Sequence, residues 1–86
     1  MKKLRHGKYY EYEKRILEFL IQQKEDVTAI KISIKMNIPK SSCYDVLGKL
    51  RYFDYIDWIG EPQDAISMVM ITSKGKDHLK HNTNGL

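Results

Sequence analysis

Cysteine is nearly absent from this chain, with Cys43 the sole example among 86 residues. One thiol excludes an internal disulfide and a cysteine-based zinc site, and predicts an intracellular, cytoplasmic protein. Long apolar runs are missing too, and none approaches the roughly 18 residues needed to span a bilayer. Nor does a charged-then-apolar leader open the chain, because Tyr9 to Lys14 is polar and charged. There is no glycine-rich phosphate loop, no nucleophile-base-acid set, no pair of pocketed carboxylates and no internal repeat. These absences exclude the enzyme classes and predict no cofactor and no membrane partner.

What is present suits one small globular domain. Hydrophobic residues make up 42% and charged residues 30%, so the chain can bury a modest core and is not a disordered tract. Charge is distributed unevenly. Lys2, Lys3, Arg5 and Lys8 give the first eight residues +4, which is the whole net charge of the chain. Lys31, Lys35, Lys40, Lys49 and Arg51 stand against Asp45 in the middle of the chain. Asp54, Asp57, Glu61 and Asp64 follow as an acidic stretch. Such polarity can steer a polyanion onto one face, although surface lysines also serve plain solubility.

Apolar spacing predicts the elements. Residues 1–8 read as a flexible basic arm, and 82–86 as a frayed tail around a domain spanning 9–81. From Tyr9 to Gln23 the residues Tyr12, Ile16, Phe19 and Leu20 repeat at three and four, the stripe of an amphipathic helix. Lys24-Glu25-Asp26 breaks it as a loop. Thr28 is a suitable cap for a second, short helix whose Ala29, Ile32 and Met36 share a face. Asn37 tolerates the left-handed conformation of a sharp turn, Ile38 plugs that turn into the core, and Pro39 stops the helix. Ser41 or Ser42 can satisfy amides at the start of a third helix. There Cys43, Val46, Leu47 and Leu50 face inward and Asp54 ends the helix.

Two strand-like runs follow, Tyr55 to Ile59 and Ile66 to Thr72. Between them Gly60-Glu61-Pro62-Gln63-Asp64 signals a turn, and Thr72 can cap a last short helix. The predicted fold is α+β: a winged helix-turn-helix of three helices, a two-stranded wing hairpin and a short C-terminal helix. In that device the helix over residues 40–53 enters the DNA major groove.

Ile38-Pro39-Lys40-Ser41-Ser42-Cys43-Tyr44-Asp45-Val46-Leu47 resembles the turn and recognition helix of MarR-like regulators, most nearly the archaeal TrmB-like group. Ile71-Thr72-Ser73-Lys74-Gly75-Lys76-Asp77-His78-Leu79 is similar to the segment that ends many MarR-like wings. The resemblance spans about residues 9–80. It implies a dimeric transcription regulator that binds double-stranded DNA. Sugar sensing, which belongs to the TrmB-like effector domain, is not carried over.

The candidate DNA-binding residues are Lys40, Ser41, Ser42, Tyr44, Asp45, Lys49 and Arg51, with Lys2, Lys3 and Arg5 of the arm. Hydroxyls and free amides at the helix start can hold phosphate or base edges, and each cation that meets a phosphate releases counterions. The serines can equally serve as caps, and Tyr44 can equally pack against the second helix. Asp45 departs from the basic or polar base-reading group of many MarR-like proteins; it can accept from a cytosine amino group. Glu61 and Asp64 make the wing tip acidic, so the arm can take its place in the minor groove; it can equally be an ordinary disordered terminus. His78 and His81 stand three apart, yet with no third ligand nearby they read as a solvated helix end.

Tyr9, Tyr10, Tyr12, Tyr52, Phe53, Tyr55 and Trp58 are many rings for a small core, and aromatics are favoured at interfaces. A homodimer through the first helix and the C-terminal segment is the expectation, reading a pseudo-palindrome. The alternative is a winged-helix module that binds another protein, which the acidic wing favours.

Overall fold

Tyr12, Ile16, Leu17 and Leu20 return every three or four residues, and this stripe is the face that helix α1 (Lys2–Ile21) buries. The computed structural model describes residues 2–60 and 67–84, with side chains from 10 to 60 and from 67 to 81. Because α1 begins at Lys2, the backbone of the basic stretch read as an arm is continuous with the helix. The side chains of Lys2, Lys3 and Arg5, and the wing-tip residues Glu61 and Asp64, lie outside the described residues.

After the loop at Lys24 to Asp26 comes a two-residue strand, β1 (Val27–Thr28), and then α2 (Ala29–Met36). Thr28 holds extended dihedrals, and its Oγ1 accepts a hydrogen bond from the Lys31 amide at 3.2 Å. That satisfies one free donor of the first turn, as expected of this residue type. Asn37 closes the helix in the left-handed region at φ 56°, and the Ile38 amide donates back to the Ser33 carbonyl. Ser33 is buried, and its hydroxyl donates to the Ile38 carbonyl at 3.0 Å. The turn is thereby closed from both sides, and Ile38 is buried within it.

Helix α3 (Lys40–Tyr52) turns Cys43, Val46, Leu47 and Leu50 into the core. Its C-terminal end is held by the Tyr55 amide, which donates to Leu50 O at 2.9 Å, with Asp54 left-handed at φ 65°. Strands β2 (Ile56–Ile59) and β3 (Met68–Ile71) pair antiparallel, Trp58 opposite Val69, and α4 (Ser73–Asn84) follows. The sheet has three strands in the order β1-β3-β2, where a two-stranded hairpin was expected. Two residues are too few to show an alternating pattern, so β1 leaves no periodicity to detect.

Core residues come from every layer. The α1 stripe, Ile32 of α2 and the inward line of α3 meet Val27, Ile56, Trp58, Val69 and Ile71 of the sheet, with Leu79 of α4 alongside.

Cys43 lies at the centre of this core, and burial pushes its thiol from about 9 up to about 11. A folded-state value above the unfolded one favours the protonated thiol. The stabilisation is therefore complete below pH 9 and is lost as the pH rises through about 11. Across that window the wild type should lose ~2 kcal/mol more stability than Cys43→Ala. Urea titrations at stepped pH measure the difference, and parallel pH profiles would refute it. The native thiol should also resist disulfide reagents, which attack the thiolate.

Candidate nucleic-acid interface

The inward line of α3 determines what the helix presents outward. At 100° per residue, Ser41, Asp45, Gly48 and Tyr52 fall opposite Cys43, Val46, Leu47 and Leu50, and all four are exposed. Lys40, Tyr44 and Arg51 flank this row on the side of β2. Ser42 and Lys49 flank it on the other, toward α1.

The start of α3 carries no side-chain cap among the described residues. Pro39 occupies the cap position, so neither Ser41 nor Ser42 serves there. A prolyl ring cannot accept from the first-turn amides as a serine would, which leaves those donors available to an anion.

Tyr44 is half-buried rather than outward. Its ring meets that of Trp58 edge-to-face, centroids 5.6 Å apart and planes at 87°. The Lys40 ammonium lies 5.7 Å from the Tyr44 centroid, and the Arg51 guanidinium lies 5.9 Å from that of Trp58. Trp58 Nε1 in turn donates to Ser67 Oγ at 2.9 Å, a buried bond that links β2 to the residue just before β3. This places two exposed cations over two packed rings between α3 and the wing root. The ring on which Tyr44 rests its edge thus belongs to the wing strand.

Tyr44 Oη is buried with no hydrogen-bond partner among the described residues. An unsatisfied buried hydroxyl costs about 1–3 kcal/mol. Tyr44→Phe should therefore raise stability, by up to ~1 kcal/mol once the ring's unchanged packing is allowed for. Thermal unfolding of the pair is the check, and a lower midpoint for the variant would show that the hydroxyl has a partner.

On the opposite flank Lys49 Nζ lies 2.8 Å from Glu13 Oε2, tying α3 to α1. Arg15 adds a second tie, its guanidinium donating to the Met36 carbonyl at 2.9 Å. Helix α1 thus grips both helices of the helix-turn-helix. Lys49 accordingly reaches any ligand with part of its charge already answered. Asp45, in contrast, makes no ion pair or hydrogen bond among the described residues.

At the wing's far end Thr72 Oγ1 donates to the Asp54 carbonyl at 2.6 Å and accepts from the Gly75 amide at 3.0 Å. Tyr55 stacks on His78 with centroids 4.1 Å apart, so His78 is engaged at a helix junction. Among the described residues no group of three or more His, Cys, Asp or Glu side chains is placed to hold a metal ion. No helix among them is long and apolar enough to cross a membrane.

Sequence reasoning set Gly48 on the outward side of this helix but named neither it nor Tyr52 nor Trp58 among the candidate contact residues. The spacing 41, 45, 48 and 52 was the available signal, since it selects the row opposite the core line without reference to residue type.

No protein-family model and no curated protein matches the chain. Solved structures do. A Staphylococcus aureus MepR mutant bound to an oligodeoxyribonucleotide superposes with a TM-score of 0.72 at 17% identity, covering 85% of this chain and 54% of that one. The PcaV transcriptional regulator of Streptomyces coelicolor gives 0.71 at 17%, covering 81% and 52%. Staphylococcus aureus MarR in complex with salicylate and kanamycin gives 0.67 at 23%, covering 79% and 45%. The fold is a MarR-type winged helix. The chain spans about half the length of these regulators. Within the MarR-type fold α2 and α3 form the helix-turn-helix, and β2 and β3 form the wing.

Proposed function

We propose that this chain is a sequence-specific, double-stranded DNA-binding transcription regulator that occupies a promoter as a dimer through α3. The observation that carries the reading is α3 itself. It is a supported helix with an uncapped N-terminal turn, an outward polar row, and Lys40 and Arg51 beside that row. Such a surface suits a major groove, whose base edges are polar and whose borders are phosphates. Tyr44 serves by seating the wing, and Lys40, Ser41, Ser42, Asp45, Lys49 and Arg51 form the contact zone. The basic Lys2, Lys3 and Arg5 segment adds charge at the start of α1. The dimer would use α1 and α4, which pack together and leave Tyr10 exposed. A cytoplasmic location follows from the same role. The TrmB-like character of residues 38–47 rests on sequence alone.

Selection of genomic duplex fragments, followed by a salt titration of the tightest one, tests the reading. Affinity should fall steeply with salt, and Lys40→Ala and Arg51→Ala should each reduce the log–log slope by about 1. Failure to retain any duplex at low salt would overturn it.

A second reading, a protein-interaction module, is favoured by the outer face of the sheet. Ile59 pairs with Met68 and Asp57 with Met70 on that face, and Ile59 and Met70 are exposed. Capture of a protein partner by this face, with no retention of DNA, would put the second reading first.

A further inference from the structure

Two residues on the outermost row of α3 have no explanation within the fold. Asp45 stands one turn before Lys49, the spacing at which a carboxylate and an ammonium pair on a helix surface. Lys49 instead reaches Glu13, and Asp45 makes no ion pair or hydrogen bond among the described residues. A free carboxylate beside Lys40 and Arg51 opposes the polyanion that those cations attract. The second is Gly48. It sits mid-helix, where glycine is the poorest helix former after proline, and its φ is not positive. A Cβ at this position would meet nothing within 4 Å. Neither a tight turn nor a close internal neighbour requires a glycine here.

Both residues are accounted for by a surface that comes close from outside. Resting on the DNA-binding reading above, we infer that the base-reading line of this protein is Ser41, Asp45, Gly48 and Tyr52. Gly48 is its point of closest approach to the duplex, and Asp45 accepts a hydrogen bond from the N4 amino group of a cytosine.

The base follows from the chemistry of the major-groove edges. A carboxylate is an acceptor with no proton to donate. Guanine presents N7 and O6 and thymine presents O4, all acceptors that repel it. Adenine sets the acceptor N7 beside its amino group, whereas cytosine presents its amino donor without an acceptor of its own alongside. One turn further on, the absent side chain of Gly48 lets the helix settle deep enough for so short a residue as aspartate to reach a base edge. A glycine approached closely by a ligand is a recurrent use of that residue. Tyr52, 81% exposed, ends the row, its ring edge-to-face with that of Phe53 at 5.2 Å between centroids.

The test is duplex selection from a randomised pool with the 86-residue chain, repeated with Asp45→Asn and Gly48→Leu. The wild type should select a cytosine at one fixed position of each half-site. Asp45→Asn should lose that preference in favour of adenine, to which an amide bonds in bidentate fashion. It should also bind unselected duplex more tightly, having shed a negative charge. Gly48→Leu should bind the selected duplex at least tenfold more weakly, with no fall in its thermal unfolding midpoint. Its binding to unselected duplex should change less than twofold. A wild type that reads sequence while either variant keeps the wild-type pattern overturns this inference and leaves the DNA-binding reading intact. Absence of duplex binding by the wild type at low salt overturns both.

Discussion

Gly75→Ala is expected to destabilise the fold by ~2–4 kcal/mol, while the same substitution at Gly48 stabilises it by ~0.5–1 kcal/mol. The two glycines differ in surroundings, not in chemistry. A Cβ on Gly75 would overlap the Tyr55 carbonyl oxygen and lie 2.9 Å from Ile71 Cγ1, whereas at Gly48 it meets open space. The obstacle at Gly75 is backbone and cannot swing aside as a flexible side chain could. It is also anchored, because the Tyr55 carbonyl accepts from the Thr72 amide at 3.0 Å. Relief therefore requires α4 to lift from the segment after α3, breaking the Thr72 bonds to Asp54 O and from the Gly75 amide. Thermal melts of the two variants beside the wild type are decisive. For a domain of this size each kcal/mol moves the midpoint by ~4–8 °C, so the two should separate by well over 10 °C in opposite directions. Equal midpoints would show that the Thr72–Gly75 turn can move freely.

Most of this architecture was legible because local chemistry and the global fold agree at the element ends. Thr28, Asn37, Asp54 and Thr72 each take up the role their side chains favour, as a cap or as a left-handed residue. The inward line of α3 was equally readable, since a buried helix face imposes its period directly on the residue types. Strand β1 was not legible. It is held by pairing with Val69 and Met68, more than thirty residues further along the chain, and such pairing leaves no trace in two residues. The start of α3 at residue 40 was legible, but the capping role open to Ser41 or Ser42 was not settled by sequence. Serines look like caps wherever they stand, and the observed helix places Pro39 in that position.

The exposed side of α3 was readable in position and less so in detail. Helical spacing alone assigns Ser41, Asp45, Lys49 and Arg51 to the exposed side. What it omits is the direction of long side chains, which depends on neighbours brought from elsewhere. Lys49 turns to Glu13 of α1, and Tyr44 turns to Trp58 of β2. Both partners are remote in sequence, so neither deflection could be read from the helix. Their effect is to thin the cationic and aromatic character of the flanks. The row between them is a serine, a carboxylate, a glycine and a terminal tyrosine, better suited to discriminating base edges than to gripping phosphate.

Trp58→Ala is expected to cost ~3–5 kcal/mol and to disconnect the wing from α3. Trp58 is nearly buried, and its ring is the surface on which the edge of Tyr44 rests and over which Arg51 lies. Its loss leaves a cavity between helix and sheet and strands the Ser67 hydroxyl, which is 1% exposed and accepts from Nε1. Trp58→Phe separates the two contributions. It keeps a ring for Tyr44 and Arg51 but cannot donate to Ser67, so its cost should be the smaller ~1–3 kcal/mol of one unsatisfied buried oxygen. Urea unfolding followed by circular dichroism suits both variants, since each removes the sole tryptophan and with it the fluorescence signal. A wing that only hangs from α3 would give nearly equal, small losses for both variants. A wing seated through this ring gives a large loss for alanine and a lesser one for phenylalanine. Because Lys40 and Arg51 lie over these same two rings, the alanine variant should also lose duplex affinity beyond what its unfolded fraction explains. The cations would then be carried by side chains that no longer have a fixed surface to lie on.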